Sequence, residues 1–486
     1  MSDVSARIGQ LVWPAVRASK GEAALDALAP YFAEFPAGGV IVFGEGMERV
    51  DRLLARLRLR AGPDLLVSAD LERGCGQQVR EFSSLPPAMA VAACPDADAA
   101  RQAGLLTAIE ARQAGIEVVF APVADVNTAA TNPIIATRSF GDDPHRVAGL
   151  ASAFAAGLSE GGVLAVAKHF PGHGSTVQDS HDELARVTRS REELHAIDLL
   201  PFRTLVAEGV GGLMVGHLEV PALDPVPGRP ATRSPSVVLD LLRRQYGYDG
   251  LVVSDAIDMG GFPQEPAACL DVLQAGLDVL LMPRDPLAVA RWLREAHARG
   301  HLPDELLDAA VARVAAARAR VRAGRPPAQR PPPELAGTLL QHSLTLRGGA
   351  LPRLVPGVPC DVTVFGEDSS GMVLPSLYEA LEAAGVPRGP GGPRVGVVLT
   401  TVRASLGSSR LPELDRRRLQ WAVSRGQLDV VVVLGSPYEA LDLPARQPAL
   451  LAYEPTPAAA AAVARVLLGE ASAPGRLPVG APPTGP

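Results

Sequence analysis

Short uninterrupted apolar runs alternate along the chain with longer stretches in which apolar positions recur every three or four residues. The runs fall at 11–15, 38–43, 64–69, 116–121, 163–167, 211–216, 251–254 and 277–282. Strands covered on both faces read as continuous apolar runs, because neither side of the pleat meets water. The helical periodicity predicts helices over 22–34, 47–59, 97–113, 145–158, 191–208, 236–245 and 287–298. Strand and helix alternating through about eight units over roughly 300 residues predicts a (β/α)8 TIM-like barrel. A further helix over 304–322 closes that region, and the proline-rich stretch that follows reads as a stiff linker. Beyond it, apolar runs at 362–366, 395–400 and 428–435, with helices at 373–384 and 457–468, predict a second, smaller α/β domain with an open parallel sheet. The expected organisation is a barrel over 1–323, a linker over 324–335 and a second domain over 336–486. No phosphate-loop or dinucleotide fingerprint accompanies the second domain's strands.

The polar residues that interrupt this pattern fall at the ends of the strands. Asp70, Asp125, Lys168-His169, His217 and Asp255 each follow a different apolar run. In a parallel barrel all strand ends of one sense share one face, the face on which barrel enzymes build their sites. A doubly wound sheet would instead gather such residues at a single crevice. The stretch 162–182 is the densest case: a buried strand gives way to a Gly/Pro-rich loop carrying Lys168, His169, His173, Asp179 and His181.

Composition narrows the possibilities. Of the 486 residues, 47% are hydrophobic and 20% charged, enough for large cores and unlike a disordered chain. A net charge of −7, with no lysine- or arginine-rich arm, argues against nucleic acid as the main partner. The first residues lack a basic segment followed by an apolar core, and no apolar run approaches the roughly 18 residues of a membrane span. The four cysteines, without CxxC spacing, read as reduced thiols. These features together predict a soluble, cytoplasmic protein.

Several residues have the chemistry of a site. Asp255, directly after an apolar run, could be a nucleophile, a general base, a metal ligand or half of an ion pair. Asp179 and His181, two apart, have the spacing for a carboxylate that orients an imidazole as acid or base, although Asp-x-His also arises by chance. His169 and His173 are four apart, but Pro171 and Gly172 between them break the helix a metal pair would need, so no metal is expected. No cofactor is expected either. Lys168 and Arg138 could donate to a polyhydroxylated ligand; for Arg138 a salt bridge to Asp142 or Asp143 is the alternative. Asp70 could accept two hydroxyl hydrogen bonds or cap a turn. The absence of a Gly-x-Ser-x-Gly elbow makes a serine hydrolase a poor fit.

Taken together, Ala121-Pro-Val-Ala-Asp-Val-Asn, Thr137-Arg-Ser-Phe-Gly-Asp-Asp-Pro, Lys168-His-Phe-Pro-Gly-His-Gly, Asp179-Ser-His, Pro230-Ala-Thr-Arg-Ser-Pro and Gly250-Leu-Val-Val-Ser-Asp-Ala-Ile-Asp-Met resemble glycoside hydrolase family three. Within that family the likeness is to the bacterial β-N-acetylglucosaminidases. The resemblance implies that the second domain is an α/β sandwich. It implies a retaining mechanism on a carbohydrate substrate, with Asp255 as nucleophile and His181, oriented by Asp179, as acid/base. It also implies that Asp70, Arg138, Lys168 and His169 hold the sugar hydroxyls. The usual glycosidase template has two carboxyl groups; this subgroup resembles an exception. The family's Asp-x-Glu-Gly-Gly-Arg-Val is lengthened here to Asp70-Leu-Glu-Arg-Gly-Cys-Gly-Gln-Gln-Val, leaving Arg73 and Arg80 as alternatives for its sugar-contacting arginine. The expected substrates are peptidoglycan or chitin fragments. Rival expectations are a phosphorylase using the same residues, a β-glucosidase, and a catalytically silent sugar-binding protein.

Overall fold

The computed structural model describes residues 4–44, 50–178, 183–324, 327, 330–401 and 409–480. They form two compact units, neither of which is one continuous stretch of chain. The first comprises 1–84, 100–126 and 144–331; the second takes 85–99 and 127–143 together with 332–486.

In the first unit every strand of the ring is parallel to its neighbours and the neighbours follow chain order. Ala15–Arg17 pairs with Gly39–Phe43, which pairs with Leu66–Ala69, and that strand with Val118–Val119. Val118–Val119 then pairs with Leu164–Phe170, that strand with Gly212–Val215, and Gly212–Val215 with Leu251–Ser254. A bridge from Val253 to Val279 leads to Leu280–Leu281, which pairs with Val12–Trp13 on the other side of Pro14. The ring closes, as the alternation of apolar runs predicts. Its strands are buried almost throughout, which is why they carry no alternating polar residues.

Over the described residues the helices agree with their periodicity to within a few residues, with two departures; residues 47–49 of the helix predicted over 47–59 lie outside the described residues. The predicted helix over 191–208 is two helices, Arg191–Ala196 and Leu200–Ala207. Pro201 lacks the N–H that a continuous helix requires, so it sits in the first turn of the second helix instead. Ser190 starts the first helix with a reciprocal capping box to Glu193. Ser236–Gln245 is a π-helix. An additional helix, Val4–Leu11, buries Ile8 and Leu11 and packs on Asp304–Ala323, to which Arg7 is ion-paired through Asp304 and Asp308.

The second unit is built on a five-stranded sheet in the order Thr345–Arg347, Ala449–Leu451, Val430–Leu434, Arg394–Leu399, Asp361–Gly366. Only the Thr345–Arg347 edge is antiparallel. Alternate residues of Val430–Leu434 enter two separate cores: Val430, Val432 and Leu434 on one face, Val431 and Val433 on the other. The face with Val431 and Val433 also takes Met89, Ala90 and Ala93 from the 85–99 segment. Asn127 donates to the Tyr438 hydroxyl at 2.8 Å and ties the 127–143 segment to this unit. Among the described residues no helix is long and apolar enough to cross a membrane.

One buried charge knits the barrel's lower rim. Asp278, fully buried, accepts from Arg243 at 2.7 Å, from Arg313 at 2.9 Å and from the Val252 amide at 2.8 Å. Asp278→Asn strands the Arg243 guanidinium without its counter-charge and should cost about 3–5 kcal/mol. Urea unfolding of the barrel transition checks this; an unchanged midpoint contradicts it.

Candidate active site

Because all strands of the ring run the same way, the residues after their C-terminal ends converge on one rim. Asp70 follows Leu66–Ala69, Lys168 and His169 lie in the last residues of Leu164–Phe170, His217 follows Gly212–Val215, and Asp255 follows Leu251–Ser254.

Lys168 is almost completely buried, its ammonium 2.5 Å from Asp70 Oδ1 and 2.6 Å from Glu72 Oε1. Two carboxylates compensate the desolvation of one cation, and Asp70 keeps 29% of its side chain exposed at the rim. The neighbouring residue is anchored to a different strand end. His169 Nδ1 lies 2.7 Å from Asp125 Oδ2, and the His173 amide donates to Asp125 Oδ1 at 2.7 Å. A carboxylate only accepts, so the His169 proton sits on Nδ1 and Nε2 is turned the other way. Asp125 is itself fully buried. Burial raises its carboxyl, but His169 and His173 outweigh that and hold it below the usual carboxylate range.

Asp255 is partly buried, and one carboxyl oxygen, Oδ1, accepts from the Ala256 amide at 2.8 Å. Desolvation pushes this carboxyl up; His169, His217, the Ala256 amide and Lys168 together pull it lower than an ordinary aspartate. The result is an ionised carboxylate at a rim with two histidines and a lysine, able to act as nucleophile or base.

Arg138 belongs to the second unit, on the 3-10 turn Ala136–Arg138, and donates to the Ile134 carbonyl at 3.2 Å. Arg73 is half-buried and Arg80 exposed. Asp179 and His181 lie outside the described residues. Among the described residues no group of three or more His, Cys, Asp or Glu side chains could hold a metal ion. His169 and His173 are not on a helix; their rings meet edge to face with centroids 6.0 Å apart.

Three participants carry no assigned role in the sequence reading. Glu72 is visible in sequence as the second carboxylate of Asp70-Leu-Glu, and Asp125 and His217 as strand-end polar residues, but nothing local shows which cation or peptide each one holds.

A family model described as the glycosyl hydrolase family 3 N terminal domain matches residues 4–317. A β-hexosaminidase of Methylococcus capsulatus is 38% identical over 276 residues, which cover 55% of this chain and 81% of that protein. A solved family 3 β-N-acetylglucosaminidase from Paenibacillus sp. str. FPU-7 is 28% identical with a TM-score of 0.81, covering 99% of each chain. A β-glucoside phosphorylase, at 23% identity and a TM-score of 0.86, shares the fold over 99% of this chain.

Two buried groups beneath the rim titrate in opposite senses. Burial, with the nearby His169, drives His173 down from 6.5 to about 4. Burial, against the pull of Arg189, drives Asp198 up to about 7. Below 6.5 the unfolded chain takes a proton that folded His173 refuses, so stability falls as pH drops toward 4. Above the ordinary aspartate range the unfolded chain releases a proton that folded Asp198 keeps, so stability falls as pH rises toward 7. Relative to the parent, His173→Asn should therefore gain melting temperature as pH falls from about 6.5 to 4, and Asp198→Asn as pH rises over the same span. Thermal melts across that range check both signs; pH-independent differences contradict them.

Proposed function

The chain belongs to glycosyl hydrolase family 3, and from that premise we propose that this glycoside hydrolase is a retaining exo-β-N-acetylglucosaminidase that releases terminal β-linked GlcNAc. The observation that carries the reading is the Asp255 carboxylate, held ionised at the strand-end rim among His169, His217 and Lys168. Its likeness in sequence to β-hexosaminidases and in structure to a β-N-acetylglucosaminidase supports the sugar.

In this reading Asp255 attacks the anomeric carbon through Oδ2, since Oδ1 is engaged by the Ala256 amide. The glycosidic C–O bond breaks as a glycosyl ester forms on Asp255. His181, oriented by Asp179, gives its proton to the leaving oxygen and then takes one from the water that hydrolyses the ester. Two inversions give net retention. Asp70, Lys168 and His169 bind the sugar's hydroxyls, with Arg138 as a further donor. Arg73, half-buried, is better placed than exposed Arg80 to serve as the arginine of the lengthened motif. Peptidoglycan or chitin fragments are the proposed substrates. Four free, buried cysteines support work in the reducing cytoplasm.

The test is steady-state cleavage of chromogenic β-GlcNAc and β-glucoside substrates with and without phosphate. GlcNAc turnover should dominate, be indifferent to phosphate, and fall by about 10⁴-fold or more in Asp255→Ala. A sugar 1-phosphate product would make the protein a phosphorylase. Binding without turnover on either sugar, or full activity in Asp255→Ala, would overturn the reading.

A further inference from the structure

The motif Pro230-Ala-Thr-Arg-Ser-Pro has no part in the chemistry above and His217 enters it only through its field on Asp255, yet the structure joins both to the residue after Asp255. His217 is fully buried, with its ring 4.8 Å from that of Phe262. Its Nε2 lies 3.1 Å from the Ala256 carbonyl and its Nδ1 2.9 Å from the Thr232 hydroxyl. A carbonyl only accepts, so Nε2 carries a proton and donates it to Ala256. Thr232, also fully buried, completes the imidazole's other side. The two residues that follow anchor Thr232. Arg233 is paired with Asp271, and the Ser234 hydroxyl donates to Asp224 at 2.5 Å.

The three residues from 255 to 257 need such a support. The Asp255 amide donates to Val215 at 2.8 Å and the Ile257 amide to Leu281 at 2.9 Å, so neighbouring strands pin the backbone before and after Ala256. Between these pins Ala256 turns its N–H, in the 255–256 peptide, onto Asp255 Oδ1 and its carbonyl, in the 256–257 peptide, toward His217. A rotation of residue 256 would therefore swing the carboxylate that its own N–H orients.

We propose that His217 and Thr232 are positioning residues that hold the Ala256 carbonyl, fix the backbone of that residue and so help its N–H aim the Asp255 carboxylate, an inference that rests on Asp255 being the nucleophile. Both residues are fully buried and act through Ala256, so the cost of losing them should fall on the chemical step and spare ground-state binding. A displacement of the nucleophile by about 1 Å is enough to cost on the order of 100-fold in rate.

The experiment is kinetics on a chromogenic β-GlcNAc substrate with His217→Leu, His217→Gln, Thr232→Val and Thr232→Ser. His217→Leu should lower kcat about 100-fold with KM within about threefold. His217→Gln, whose amide N–H can reach the same carbonyl, should recover at least about tenfold of that loss. Thr232→Val, close in shape, should lower kcat about tenfold, and Thr232→Ser should restore it. If His217→Leu does not fold, the Thr232 pair decides the matter. Unchanged kcat in Thr232→Val, a loss carried by KM, or no rescue by the conservative variants overturns the positioning role while leaving the hydrolase reading intact. Absence of GlcNAc turnover in the parent protein, or its survival in Asp255→Ala, overturns the hydrolase reading and this inference with it.

Discussion

Everything at the rim depends on one buried carboxylate. Asp125 has no solvent exposure, and a charge in that position is tolerable only if the surrounding groups replace water completely. The His169 ring and the His173 amide do so at 2.7 Å each, with the His169 amide at 3.3 Å. The segment from Lys168 to His173 is thus folded around an anion, and that fold sets the His169 tautomer. Removing the anion would leave those donors buried and unmatched, so the segment and the carboxylate specify each other.

The adjacent residues Lys168 and His169 reach carboxylates on two different strand ends. Lys168 is held by Asp70 and Glu72 after the Leu66–Ala69 strand, and His169 by Asp125 after Val118–Val119. This cross-linking places both groups in the field of Asp255, two strands further round the ring, where they offset the penalty that burial imposes on its ionised form. A parallel barrel makes this possible because it brings side chains distant in sequence to one rim without asking any loop to carry the geometry alone. At the opposite rim, Asp278, Arg243 and Arg313 form a satisfied network tied to backbone amides and carbonyls, which serves cohesion rather than chemistry.

Much of this is legible in the chain itself. Apolar runs mark the strands because both faces of each are covered, and a polar residue just after such a run marks the rim, as for Asp70, Lys168, His217 and Asp255. Partnership is less legible. That Glu72 joins Asp70 on one ammonium, or that His217 supports the residue after Asp255, depends on pairs 96 and 39 positions apart, joined by an ion pair and a hydrogen bond. Nor does local pattern reveal that 85–99 and 127–143 pack with the second sheet, since Met89 and Ala93 are as compatible with one core as with another. The break before Pro201 is legible in principle, because a proline inside a helix costs a backbone hydrogen bond, but the apolar periodicity runs on across it, and Pro30 shows that a helix can also continue through a proline.

The central claim is a covalent glycosyl ester on Asp255. A fluorinated β-GlcNAc analogue with a good leaving group, which slows hydrolysis of the ester more than its formation, makes that species long-lived enough for intact-protein and peptide mass spectrometry. The account predicts a single added sugar, located on the peptide that contains Asp255 and absent from Asp255→Ala. Label on a different carboxylate, or no adduct while the analogue's leaving group is released with inversion at the anomeric carbon, would contradict it.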